Sequence, residues 1–242
     1  MDIFAKIFGY LLGLIYGVVQ DYGISIIIFT LITKMLLMPF TIKQLKSSKA
    51  MQEIQPKMKE IQEKYKDNKE KQNQMLVELY KEHKYNPLSG CLPLLIQFPI
   101  IIGLFTAMRQ PGDYVFVNNP ELLAQATSDA FLWIKNLSQP DLMSNIISTG
   151  PAWLLGLPGL MAFLSATMTY LQMSSMNSSN TSSSGNDAMA KQMKIMQIIF
   201  PFMILFWGTS MSGGLMLYWT VGSIFQIVQQ YVMKRPVKGE AK

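Results

Sequence analysis

The sequence predicts an all-α integral membrane protein: five transmembrane helices, a cytoplasmic helical hairpin and an N-terminal interfacial helix. Three observations carry this. Hydrophobic residues make up 50% of the 242. Five windows, Tyr22–Phe40, Leu88–Met108, Trp153–Met173, Met193–Met211 and Gly213–Met233, suit the ~30 Å hydrocarbon core, which takes roughly 20 helical residues. The basic residues between those windows are very unevenly placed, and that asymmetry orients the spans. Cys91 is the single cysteine, so disulfides contribute nothing.

In chain order, residues 2–20 hold a shorter apolar stretch, Ile3–Val19, charged only at Asp2 and Lys6 near its start. No small-x-small cleavage site or lipobox cysteine follows it, so the segment is expected to remain. It either lies along the outer interface as an amphipathic helix or spans once, and the Gln20-Asp21-Tyr22-Gly23 turn fits both. Gly9, Gly13 and Gly17, at four-residue spacing, allow close helix packing.

The first span, residues 22–40, is expected to end at Pro39. Residues 41–86 follow as a hairpin. Met51, Ile54, Met58, Ile61 and Tyr65 recur at spacings of three and four, an apolar stripe on one helix. Asp67-Asn68 reads as a turn, and Met75, Leu76, Leu79 and Tyr80 lie on one side of a second helix. The second span, residues 88–108, opens on Asn86-Pro87, an N-cap followed by proline at the first helical position. Pro93 and Pro99 loosen it, and Gln97 places an amide at membrane depth.

Residues 109–150 form an outer loop whose Phe131–Asp141 stretch is aromatic and apolar enough for an interfacial position. The third span, 153–173, carries Ser165, Thr169 and Gln172 as a polar stripe. Residues 174–190 read as a flexible Ser-rich loop. The fourth and fifth spans, 193–211 and 213–233, form a tight hairpin. On the fifth, Ser212, Trp219, Ser223, Gln226 and Gln230 share a face. A short basic tail, 234–242, ends the chain.

Orientation follows from the lysines. Lys43, Lys46, Lys49, Lys57, Lys59 and Lys64 are among those crowded into Thr41–Pro87, and Lys234, Arg235 and Lys238 lie in the tail. Arg109–Gly150 instead holds Arg109 and Lys135 against Asp113, Glu121, Asp129 and Asp141. The hairpin, the Ser-rich loop and the C-terminus are therefore assigned to the cytoplasm and the 109–150 loop to the outside.

One residue breaks the first apolar run. Lys34 lies past its middle, where a charge costs ~2.5–3.5 kcal/mol on insertion scales. Its stem can snorkel toward inner headgroups, or it can sit in a hydrated groove open to the cytoplasm and attract acidic or polar parts of a chain in transit. Thr30 stacks one turn away, and no intramembrane Asp or Glu stands ready to neutralise Lys34. The stripes on the third and fifth spans, with Gln97, favour a shared wet cavity.

Catalysis finds little footing. The one histidine, His83, belongs to the hairpin without Cys or His neighbours, and no P-loop, dinucleotide fingerprint or metal cluster appears. No enzyme activity, cofactor or metal is expected. A small polytopic transporter or channel using Lys34 in a substrate pathway is the alternative, although it would show internal repeats or paired intramembrane charges.

Three stretches carry a family likeness: Thr30-Leu-Ile-Thr-Lys-Met-Leu-Leu-Met-Pro-Phe40, Asn86-Pro-Leu-Ser-Gly-Cys-Leu-Pro-Leu-Leu-Ile-Gln-Phe-Pro-Ile-Ile-Ile-Gly-Leu104, and Gly214-Leu-Met-Leu-Tyr-Trp-Thr220. With the charged hairpin between the first two, the chain resembles the bacterial YidC membrane protein insertases, in the short Gram-positive form. The resemblance implies a multi-pass plasma-membrane insertase and chaperone with a hydrophilic groove open to cytoplasm and lipid. The family's groove cation falls on Lys34, where arginine is usual, its threonine on Thr30, its glutamine on Gln97 and its aromatic on Trp219. Lysine keeps the charge but loses the planar fork of arginine. Val221-Gly222-Ser223 stands where the family often has Ser-Asn. With the stripe residues Ser165, Thr169 and Ser223, these make up the expected substrate groove. Nascent membrane proteins and lipids are the implied partners, with no specific nucleic acid. The ribosome and the Sec translocon are further partners to consider, although anionic inner-leaflet lipids account for the same lysines.

Overall fold

The computed structural model describes residues 2–83, 92–177 and 188–234. Among the described residues it is all-helical, with isolated β-bridges but no strand. The Asn86-Pro87 helix start, Cys91, residues 178–187 of the Ser-rich loop and the tail beyond Lys234 lie outside those residues, as do the side chains of Pro93 and Met51.

Helix α1 (Asp2–Val19) buries Ala5, Gly9, Leu12 and Tyr16, one stripe of helical period. It ends where Gln20 turns left-handed at φ 56° and its N–H reaches back to Tyr16 O at 2.8 Å. Asp21 then caps α2, its carboxylate accepting from Ile24 N at 2.8 Å. So short a link sends α2 back along α1: Tyr16 meets Tyr22 with ring centres 6.3 Å apart, and Phe8 meets Phe29 at 6.0 Å. Gly9 and Gly13 bring α1 onto the carbonyls of Tyr114 and Val115, where a methyl group would collide, while Gly17 faces open space. Two of the three glycines therefore serve close approach, against the backbone of Tyr114 and Val115 rather than another long helix.

Helix α2 is a single 43-residue helix, Tyr22–Lys64, that runs through Pro39 instead of ending there. An interior proline removes one hydrogen bond and costs about 3 kcal/mol. Tertiary contact braces this point, since Gln229 donates to Thr41 Oγ1 at 2.8 Å. After a turn at Tyr65–Asp67, Asn68 caps α3 (Lys69–Glu82) by accepting from Lys71 N at 3.0 Å. Helix α3 folds back on α2, burying Ile54, Met58 and Leu79 together with Ile61, Leu76 and Tyr80. Gln72 Nε2 donates to Gln62 O at 2.9 Å near the turn, and Lys57 meets His83 at 3.1 Å farther from it.

Helices α4 (Leu92–Arg109), α5 (Pro111–Tyr114) and α6 (Pro120–Ser128) lead into the 131–142 loop. This loop tucks inward. Phe131 and Ile134 exchange backbone hydrogen bonds at 2.9 and 3.0 Å, and Phe131 lies against Gly23. Ile134, Leu137 and Asp141 are buried, and Leu132 is the exposed tip. The apolar residues of Phe131–Asp141, expected at the interface, pack here as a cap on the bundle, which removes their apolar area from solvent.

The segment expected as one helix over Trp153–Met173 is divided into α7 (Ala152–Leu155) and α8 (Leu160–Asn177). Pro158 lacks an N–H, and Gly159 leaves room beside the Asp141 carboxylate that a Cβ would fill. Helices α9 (Ala188–Trp207) and α10 (Gly213–Lys234) follow. Ile26 lies against Gly214, Lys34 against Gly222, and Gln229 bonds Thr41, so α2 and α10 run in the same direction. Ser165 with Thr220 and Gln172 with Gln226 give α8 that direction too. Helix α9 returns, placing Gly208 against Ala162 at the start of α8.

The apolar core lies toward one end, where Tyr22, Ile26, Phe29, Leu104, Met108 and Leu215 meet Ile134 and Leu137 of the 131–142 loop. Farther along the same helices the interior turns polar. Helix α9 presents Ile195, Ile198, Ile199, Phe202 and Phe206 outward, as a surface facing hydrocarbon does. By length and composition, α1 and residues 22–45 of α2 are long and apolar enough to cross a membrane, and the stretches Gln97–Arg109 of α4 and Lys194–Trp207 of α9 are apolar too. Helices α8 and α10 carry more polar residues, which face each other inside.

Candidate functional site

Lys34 is 7% exposed and lies between α2, α4 and α10. Its partners among the described residues are neutral. Nζ donates to Gln97 Oε1 at 3.4 Å and stands 6.0 Å from the centre of the Tyr218 ring. Gln97 Nε2 in turn donates to Tyr218 Oη at 2.9 Å. A long hydrogen bond and a ring at the limit of cation–π reach attract a cation without cancelling its charge. Thr30, one turn earlier and fully buried, spends its hydroxyl on Ile26 O at 2.6 Å, so it presents its methyl to α10. The sequence placed Lys34, Thr30 and Gln97 together, and the fold brings them together.

The other expected groove residues form a second cluster, on the side of α10 that faces α8. Trp219 Nε1 donates to Thr169 Oγ1 at 3.0 Å, and Thr169 Oγ1 donates to Ser165 O at 2.7 Å. Ser165 Oγ lies 3.0 Å from Met216 O and 2.7 Å from Thr220 Oγ1. Toward the far end, Gln172 bonds Gln226 and Ser175 bonds Gln230. The polar stripes of α8 and α10 are thus largely each other's partners. Ser223 is buried beside Gly222, and Phe200 of α9 packs on Trp219 at 5.9 Å between ring centres.

Two residues of the Lys34 cluster escaped sequence reasoning. Tyr218 lies inside the Leu217-Tyr218-Trp219 run, beside the more conspicuous Trp219, and its hydroxyl in an apolar helix is the available signal. Gly222, four residues on and on the same face, shows as a glycine inside a helix, which calls for a packing reason. Thr220 completes the second cluster and was likewise missed.

At the capped end, Asp141 is buried with three donors. Trp133 Nε1 and Met161 N reach Oδ2 at 3.2 and 2.8 Å, and Asn145 Nδ2 reaches Oδ1 at 3.1 Å. The loop also accepts from the first turn of α10, Gly213 N to Gln139 O at 2.7 Å and Gly214 N to Leu137 O at 2.8 Å. The starts of α8 and α10 are therefore tied to one loop, while their far halves meet through side chains. No group of three or more His, Cys, Asp or Glu that could hold a metal occurs among the described residues.

Comparison with known proteins bears on this arrangement. The model of the 60Kd inner membrane protein family matches residues 14–240. The membrane protein insertase YidC of Oceanobacillus iheyensis is 37% identical over 222 residues, covering 90% of this chain and 76% of that protein. The membrane protein insertase YidC of Clostridium perfringens is 37% identical over 242 residues, covering 99% of this chain and 90% of its own. A solved structure described as an active YidC insertase with the first transmembrane domain resolved superposes with a TM-score of 0.60 at 30% identity. It covers 90% of this chain, which spans 43% of that one.

Proposed function

The chain belongs to the family of the 60Kd inner membrane protein, the YidC membrane protein insertases, and from that premise we propose that it passes hydrophobic segments of newly made proteins into a bacterial plasma membrane. The observation that carries the mechanism is Lys34, a buried cation whose partners Gln97 and Tyr218 are neutral. In this reading the interior around Lys34 is wet and open to the cytoplasm. An acidic or polar terminal segment is drawn toward the ammonium and crosses part of the barrier there. The apolar segment behind it then moves to lipid past α2, α4 and α10, driven by hydrophobic transfer of ~25 cal/mol per Å². No nucleotide takes part.

The orientation proposed keeps the α2–α3 hairpin and the C-terminus cytoplasmic and the 131–142 loop outside. The shared direction of α2, α8 and α10 supports the alternation of spans that this orientation needs, and the lysine asymmetry supports its sign. The antiparallel packing of α1 on α2 supports a crossing by α1 as well, from the inner side. The paired polar stripes of α8 and α10 serve as a wall of the wet interior that exchanges hydrogen bonds with the passing chain.

The test is insertion of a single-span substrate into liposomes containing only this purified protein, with and without Lys34→Ala. Insertion by the unaltered chain, weakened by the substitution for acidic-tailed substrates, is the expected result. Insertion indifferent to Lys34→Ala, Lys34→Glu and Lys34→Leu removes the electrostatic step. No insertion by well-folded protein removes the autonomous reading altogether.

A further inference from the structure

We infer that the missing side chain at Gly222 positions the Lys34 ammonium, which makes Gly222 a positioning residue for insertion. The inference rests on the role proposed above for Lys34. Gly222 lies in the interior of α10, where helix propensity favours alanine over glycine. A Cβ placed there would stand 2.8 Å from Lys34 Cε and 3.3 Å from Nζ, but 3.9 Å from Thr30 Cγ2. Non-bonded carbons settle at about 3.5–4.0 Å, so the first distance demands movement and the last does not.

What moves is decided by stiffness. Lys34 meets Gly222 with the end of a flexible stem, whereas α10 is held to α8 by the Ser165–Thr220 and Thr169–Trp219 hydrogen bonds. The lysine therefore yields. Its ammonium is held 3.4 Å from Gln97 Oε1 and 6.0 Å from the Tyr218 ring centre, and Tyr218 is one turn from Gly222 on the same face. Any side chain at 222 lifts the stem off that face and takes Nζ away from Gln97. Gly222 thus fixes the place of the cation, and Lys34 supplies its charge.

The experiment uses the full-length protein, unaltered and as Gly222→Ala, Lys34→Ala and the double variant, reconstituted in liposomes. Single-span substrates with acidic and with uncharged tails are compared, and thermal stability is measured for each variant. Gly222→Ala is expected to slow the acidic-tailed substrate about three- to tenfold, the range of one lost polar contact, and to leave the uncharged-tailed one at the unaltered rate. In the Lys34→Ala background the added methyl meets only Thr30, so it leaves the rate unchanged and does not lower Tm, alanine being the better helix former. An equal cost in both backgrounds would assign Gly222 to helix packing and overturn the inference, as would unaltered insertion by Gly222→Ala. If Gly222→Ala fails to fold, Lys34→Ala must rescue it; no rescue overturns the inference too. Should Lys34→Ala insert both substrates normally, the role of Lys34 falls, and the position of its ammonium is read directly. The lysine side-chain ¹⁵N resonance that disappears in Lys34→Ala must shift in Gly222→Ala, and an unmoved resonance refutes the positioning.

Discussion

Lys34 and Gln97, 63 positions apart, meet with Nζ 3.4 Å from Oε1, and Gln97 turns its other end to Tyr218 Oη at 2.9 Å. The amide thus links a cation on α2 to a hydroxyl on α10. Gln97→Leu keeps the volume and removes both contacts, so initial insertion rates of acidic-tailed substrates are expected to fall about fivefold, the equivalent of ~1 kcal/mol. Tyr218→Phe keeps the ring near Lys34 and removes only the acceptor, and its effect is expected to be smaller. A Gln97→Leu variant as fast as the unaltered protein would separate this amide from function.

Asp141 is expected to be the costliest single polar residue in the capped end. Asp141→Ala leaves Trp133 Nε1, Asn145 Nδ2 and the Met161 N–H without their acceptor, a loss of about 3–5 kcal/mol. Asp141→Asn keeps the shape and one oxygen and is expected to lose less. Thermal unfolding of the purified variants in detergent gives the ranking, and equal Tm values for Asp141→Ala and the unaltered chain would show the network to be dispensable.

The Trp219–Thr169 pair offers a clean double-mutant cycle. Trp219→Phe keeps most of the ring packed on Phe200 but removes the donor, and Thr169→Val removes the acceptor at similar volume. Hydrogen bonds between membrane helices couple by about 0.6 kcal/mol, with ~1.7 as an upper value. A coupling in that range from unfolding measurements confirms a direct bond. A coupling of zero would mean that both side chains spend their polar atoms on water.

The hairpin is expected to be an independent unit. Ile54→Ala empties a fully buried site shared with Met58 and Leu79, at a cost of about 2–5 kcal/mol. Hydrogen exchange should rise across α3 and leave residues 22–37 protected. Exposed and lysine-rich, the hairpin is expected to help deliver clients: deleting Met51–Glu82 should slow insertion while the bundle still folds, and normal insertion by that deletion would show the hairpin to be dispensable for delivery.

Much of this was legible in the sequence. Helical periodicity located the Ile54–Met58–Ile61 stripe, and one charged residue in an apolar run singled out Lys34. What stayed hidden is tertiary. Pro39 reads locally as a stop, and the Gln229–Thr41 bond that braces the continuing helix spans 188 positions. The break before α8 belongs to Asp141, 20 positions upstream of Met161. The stripes of α8 and α10 were visible, but that they face one another rather than Lys34 depends on the rotation of α10. The Tyr218–Gly222 face of α10 emerged only with Lys34 lying on it.

The 131–142 loop stitches the first turns of α8 and α10 by backbone and carboxylate bonds, while the opposite halves of those helices meet through side-chain amides and hydroxyls that water can replace. Under the function proposed above, opening is expected to begin at the far tips of α8 and α10 and to leave the tied end closed, so that a chain is admitted from one face of the bilayer without a path for ions to the other.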